Sequence, residues 1–159
     1  AIEKWSEIKL SNNNIKLHLI GGLQTNKVKL AVKLFDYIHS VDSERLAKKI
    51  FDEQQKQKKK VRIFIQVNIG SEKQKFGVEK LSVSKLYSYC KTLDLEVMGL
   101  MCIPPLNEPP EIFFKEMNEL NKKLNLKELS MGMSSDYLKA IKNSATYVRI
   151  GSNIFGPRY

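Results

Sequence analysis

Residues 127–159 read KELSMGMSSDYLKAIKNSATYVRIGSNIFGPRY, and their reading decides the fold. Glu128 to Met133 predicts a strand. A serine-rich start then leads into a helix over Asp136 to Lys142, a second strand follows at Tyr147 to Ile150, and Gly151 opens a turn. Strand, helix, strand and glycine turn make a βαβ unit with two corners rich in backbone N–H groups. Corners of this kind, at the carboxyl ends of parallel strands, hold phosphate in α/β proteins because free N–H groups and the helix dipole both favour an anion.

Working outward, the same alternation fills the rest of the chain. Ala1 to Ile8 reads as the tail of a helix. Lys16 to Ile20 predicts a strand ending at Gly21-Gly22, and Thr25 or Asn26 caps a helix with Val28, Ala31, Val32 and Phe35 along one stripe. Tyr37 to Val41 is the next strand, and Asp42 or Ser43 caps a helix carrying Leu46, Ala47, Ile50 and Phe51. Val61 to Ile69 is β-branched and aromatic enough for a buried strand, followed by the polar loop Gly70 to Gly77. Val78 to Leu93 predicts a helix, Glu96 to Ile103 a strand stopped by Pro104-Pro105, and Pro109-Pro110 opens a helix with Phe113, Met117, Leu120 and Leu124 at spacings of four, three and four. Six alternating βα units imply a parallel sheet, since parallel neighbours need a crossover. The pattern leaves open sheet and barrel both standing, but in either case the loops after the strands share one side, where binding sites of both architectures lie.

Composition narrows the class. Of 159 residues, 42% are hydrophobic and 28% charged, which fits an ordinary folded domain and argues against disorder. No apolar run approaches the roughly 18 residues of a membrane helix. The chain opens on Ala1 without a signal-peptide layout, so a cytoplasmic location and a sequence that starts midway are the expectations. Cys90 and Cys102 lack zinc or redox spacing and read as small buried hydrophobes. The net charge of +10 comes from lysines spread over the whole chain, which suits a solvated surface better than a nucleic-acid patch. His18 and His39 sit on strands with no third metal ligand at a recognised spacing, and no nucleophile elbow, Walker lysine or dinucleotide fingerprint is present.

The candidate chemistry therefore lies in the last unit. Ser134 and Ser135 are either helix caps or anion ligands, and Gly151-Ser152 offers N–H groups after the next strand. A barrel sets the corners after its last two strands side by side as a phosphate site. Arg149 alternates with Val148 and Ile150. If that apolar pair packs outward beneath helices, Arg149 points into the barrel; otherwise it is an exposed strand arginine. Lys75 is the one lysine in a strand-end loop suited to chemistry, and a solvated lysine is the alternative there.

These stretches resemble the pyridoxal 5'-phosphate homeostasis proteins, relatives of the alanine racemase barrel domain. The resemblance rests on HLIGGLQTNK (18–27), HSVD (39–42), IQVNIGSEKQKFG (65–77), GLMCIPP (99–105), LSMGMSSD (129–136) and VRIGSNIFGPR (148–158), in family order over essentially the whole chain. It implies a parallel (β/α)8 TIM-type barrel that binds pyridoxal phosphate (PLP) without robust catalysis and keeps cofactor and amino-acid levels in balance. Its partners would be PLP and PLP-dependent apo-enzymes; a PLP-dependent racemase-like enzyme is the alternative. It further implies that Ser134 or Ser135 with Gly151 and Ser152 hold the phosphate, that Arg149 stands beside the pyridine nitrogen, and that Lys75 and Asn68 face the site. Residues 1–159 would then be a single domain with six of the eight βα units, without the first two and the cofactor-bonding lysine that the family carries on its first strand.

Overall fold

The computed structural model describes residues 5, 9, 11–12, 14–72 and 76–156. Strands β1 (His18–Leu19), β2 (Tyr37–Val41), β3 (Arg62–Asn68), β5 (Val97–Met101), β6 (Glu128–Met133) and β7 (Tyr147–Arg149) form one parallel sheet in that order. Helices α1 (Val28–Leu34), α2 (Glu44–Gln57), α3 (Val83–Thr92), α4 (Pro110–Lys123) and α5 (Tyr137–Lys142) connect them. Short 3₁₀ turns over Thr25–Lys27 and Lys80–Ser82 lead into α1 and α3. This is the alternating βα architecture expected from the sequence, a parallel six-stranded part of a TIM-type barrel. No helix of the described residues is long and apolar enough to cross a membrane.

Strand alternation divides the sheet into two faces. Ile38, Ile63, Ile65, Leu100 and Leu129 point outward into a core completed by Val28, Val32, Ala47, Ile50, Leu86, Cys90, Phe114, Met117 and Ala140 from the helices. The opposite face is concave. His18 from β1 approaches Tyr147 from β7 with ring centroids 5.7 Å apart, so the two ends of the sheet meet through their inward side chains. A flat sheet would hold those strands about 20 Å or more apart, at roughly 4.8 Å per neighbour. Curling is thus what builds the site.

Two elements differ from the sequence expectation. The segment from Val78 does not enter its helix at once. Gly77, at φ +121°, lets the chain double back so closely that a side chain there would strike the Asn68 amide, and Val78–Glu79 pairs as β4 beside Val67 and Asn68. The final glycine turn continues into a short helix, α6 (Ser152–Phe155). Helix boundaries otherwise follow local chemistry: Ser43 caps α2 through its Oγ, 3.3 Å from the Leu46 amide, and Pro110 starts α4. Ala1 to Ile8 falls almost wholly outside the described residues.

One buried polar side chain ties a helix to a strand. Asn121 on α4 is 3% exposed; its Oδ1 accepts from the Leu100 amide at 3.2 Å and its Nδ2 donates to the Leu126 carbonyl at 2.9 Å. Asn121→Leu fills the same space but strands a buried N–H and a part-buried C=O. We expect a loss of about 2–3 kcal/mol in urea unfolding.

Candidate functional site

The site is built from the ends of β6 and β7. In the corner after β6 the Asp136 carboxylate accepts from the Met133 amide at 2.6 Å, turning the chain before α5 begins. That frees Ser134 from capping. Its Oγ instead accepts from the Gly151 amide at 3.1 Å, and its carbonyl accepts from Asn153 Nδ2 at 3.0 Å. The two corners that the sequence singles out therefore touch. Gly151 begins α6, whose later amides, from Ile154 onward, turn back to Gly151 and Ser152; the amides of Ser152 and Asn153 have no acceptor among the described residues. Ser134, Gly151 and Ser152 form one exposed, donor-rich corner, with Ser135 beside it in the same turn.

Arg149 lies on the concave face, with Val148 and Ile150 on the other. Its Nη1 donates to Ser130 Oγ at 2.9 Å and its Nη2 to the Cys102 carbonyl at 2.8 Å. Burial pulls its pKa below the ordinary arginine value, against the opposing influence of Cys102 and Asp136, yet a guanidinium remains a cation throughout the physiological range. It carries five donors, so capacity remains for a ligand beyond the two anchors. Among the described residues its hydrogen-bond partners are neutral oxygens, with no carboxylate.

Beneath Arg149 lies a group of side chains that sequence reasoning passed over. Ser130 Oγ is 2.9 Å from His39 Nδ1, and His39 Nε2 is 2.9 Å from His18 Nδ1. The His39 ring stacks on Phe64 at 4.2 Å, and His18 stacks on Tyr37 at 4.1 Å with Tyr147 closing the other side. Burial, reinforced by His18 and Arg149, drives the His39 pKa down to about 3; burial also lowers that of His18, where Asp36 opposes it. Both rings are neutral at physiological pH. The signal that would have found them is the period of two: His18, His39, Ser130 and Tyr147 lie on the strand face that carries Arg149.

Among the described residues, Asn68 shares no hydrogen bond with this cluster. The Asn68 side chain folds onto its own loop, its Nδ2 donating to the Glu72 carbonyl at 2.8 Å and its Oδ1 accepting from the Glu72 amide at 3.1 Å. Lys75 lies outside the described residues. Both cysteines are buried, and burial pushes each thiol up to about 12, so neither is a nucleophile. The exposed corner offers hydrogen-bond donors to an anion, and the guanidinium of Arg149, at the end of β7 two residues before Gly151, offers donors to an acceptor.

Comparisons with known proteins agree with this fold. The family model of the alanine racemase N-terminal domain matches residues 5–159. The pyridoxal phosphate homeostasis protein of Aquifex aeolicus (strain VF5) is 40% identical over 167 residues, covering 99% of this chain and 72% of the relative. PipY of Synechococcus elongatus PCC7942, solved without PLP and with PLP bound, superimposes with a TM-score of 0.87 in both forms, at 29% and 28% identity over 98% of this chain and 79% of PipY. The alanine racemase of Corynebacterium glutamicum, at 14% identity and a TM-score of 0.74 over 99% of this chain and 46% of its own, shares the fold alone. Matched from residue 5 to its last residue, with a relative 40% identical over nearly its whole length, the chain belongs to the alanine racemase N-terminal domain family and, within it, to the pyridoxal phosphate homeostasis proteins.

Proposed function

We propose that this chain binds pyridoxal 5'-phosphate and serves PLP and amino-acid homeostasis inside the cell, holding the cofactor for PLP-dependent apo-enzymes rather than catalysing a reaction itself. The observation that carries the reading is Arg149, a cation anchored on the concave face by two neutral oxygens, next to a corner that presents N–H groups. PLP supplies an electron sink when its ring nitrogen is protonated. A fixed guanidinium beside that nitrogen donates to its lone pair and opposes its protonation, which holds the ring in place while weakening the sink. Ser134, Gly151 and Ser152, with Ser135 in the same turn, receive the phosphate; Asn68 shapes the neighbouring loop, and Lys75, by the family resemblance, is a further cofactor contact. The names of the homeostasis relatives and the PLP-bound form of PipY support the same cofactor.

The test is equilibrium dialysis of the protein against PLP, read by cofactor absorbance. Retention of one equivalent is expected, weakened at least about tenfold by Arg149→Met, since a hydrogen bond to a charged group contributes roughly 1.5–3 kcal/mol. Ser134→Ala should weaken PLP and inorganic phosphate alike. No retention by the native protein sinks the proposal. The racemase alternative predicts exchange of the amino-acid α-hydrogen in heavy water; on the present reading exchange stays at the PLP-only rate.

A further inference from the structure

The hydrogen-bond row under Arg149 has one consistent direction. Arginine only donates, so Ser130 Oγ accepts from Nη1. Ser130 is fully buried, and its own hydroxyl proton has one acceptor among the described residues, His39 Nδ1. Accepting there, a neutral His39 carries its proton on Nε2 and donates to His18 Nδ1. His18 then carries its proton on Nε2. Each group accepts from above and donates below, and such rows polarise cooperatively away from the cation at the top.

We propose that Ser130, backed by His39 and His18, is the positioning residue that fixes the Arg149 guanidinium in the orientation a ligand ring meets; the ligand part rests on the PLP reading above. The packing supports a rigid support rather than a chance contact. Ser130 and His39 are 0% and 2% exposed, Phe64 stacks under His39, and Tyr147 packs edge-on against both rings at 5.9 and 5.3 Å. The Cys102 carbonyl alone would leave the guanidinium free to swing about the Nη2 contact. With Ser130 as second anchor its plane is set. A proton on His39 Nδ1 would face the Ser130 hydroxyl proton and place positive charge below Arg149, so the row functions only with His39 neutral.

Nitrogen-15 NMR of the labelled protein tests this without any ligand. The expected result is His39 and His18 both protonated on Nε2 alone, and separately resolved Arg149 Nη1 and Nη2 signals that merge in Ser130→Ala. With ligand, Ser130→Ala should weaken PLP binding about tenfold while leaving inorganic phosphate binding unchanged, because the phosphate corner does not involve Ser130. His39→Gln, whose amide can still accept from the Ser130 hydroxyl, should keep the Arg149 signals resolved. A proton on His39 Nδ1, or resolved Arg149 signals and native PLP affinity in Ser130→Ala, overturns the proposal. If the native protein binds no PLP but the Arg149 signals still merge in Ser130→Ala, the PLP reading falls and the positioning role stands.

Discussion

Gly99→Ala is expected to abolish folding. Gly99 sits on β5 directly opposite Glu128 on β6, and a methyl group on its Cα would land on the Glu128 carbonyl oxygen. Both partners are main chain in adjacent strands, so neither can rotate aside as a flexible side chain would. Relief requires pulling β5 from β6, which breaks the register Gly99↔Glu128, Leu100↔Leu129, Met101↔Ser130. Those pairs carry Leu100 and Leu129 into the outer core and Ser130 to the concave face. The expected loss exceeds about 4 kcal/mol, against a total stability on the order of 5–15 kcal/mol for a domain. Gly151→Ala is the control: its methyl would meet no atom within 4 Å, and its stability should stay within about 0.5 kcal/mol of native. Soluble yield and thermal unfolding by circular dichroism measure both. A Gly99→Ala protein melting within a few degrees of native would refute the close-approach account.

The fold was legible because its determinants are local and repeated. Tyr37–Val41 and Glu128–Met133 match the expected strands residue for residue, since each is a short apolar or alternating run bounded by polar residues, Asp36 and Asp42 in the first case and Lys127 and Ser134 in the second. The missed pieces, β4 and α6, each follow a glycine, and periodicity carries no information about how a chain leaves such a residue. Gly77 directs Val78–Glu79 back onto β3 through a contact with Asn68, a residue nine positions earlier. That contact is not encoded in any window around Val78.

The site was legible in its outer part only. Ser134, Gly151 and Ser152 were singled out because a corner after a strand announces itself through its residue types, and the meeting of the Ser134 hydroxyl with the Gly151 amide follows from strands that are neighbours. Alternation put Arg149 on the face opposite Val148 and Ile150 but left inward and exposed both standing; in the structure it lies on the concave face, bonded to Ser130 and the Cys102 carbonyl. Its support was not seen, because His18, His39 and Ser130 are separated by 21 and 91 residues: alternation within each strand gives their face, but no single stretch shows that they meet. Two histidines on strands prompt a search for metal ligands. Here the chemistry is different: the rings are links in a row of hydrogen bonds, and curling of the sheet brings them under the arginine. Asn68 shows the converse. A polar residue at the end of a strand looks aimed at a ligand, yet both ends of its amide bond the Glu72 backbone.

The same row makes the protein's stability fall as acid is added, well before its carboxylates protonate. His39 is 2% exposed and faces His18 from β1, Tyr37 from its own strand, Phe64 from β3, Ser130 from β6, and Tyr147 and Arg149 from β7. None of these is an anion that would welcome a proton. Its pKa, about 3 in the folded state against 6.5 as the ordinary value, means that between those limits the unfolded chain binds a proton that the folded chain does not. Stability therefore rises with pH through this window and is lost as pH falls below the unfolded value, with a limiting slope of roughly 1.4 kcal/mol per pH unit. His18, lowered in the same direction, adds to the sign. Asp36, whose carboxylate pKa is lowered despite its own burial, because Lys9 and the Leu17 amide bond it, contributes only at more acid pH. Comparing urea unfolding near pH 6.5 and near pH 5 thus isolates the histidines, and His39 alone should account for about 1.5–2 kcal/mol of the loss. His39→Gln removes that share, so its unfolding free energy should vary correspondingly less over the same interval. Following the His39 ring by NMR gives a direct reading that needs no variant: its signals should stay in the neutral position from about pH 7 down to about pH 4, two units or more below an ordinary histidine. A His39 titration with a midpoint near the ordinary value would mean that water reaches the ring, and the closed row beneath Arg149 could not then exist.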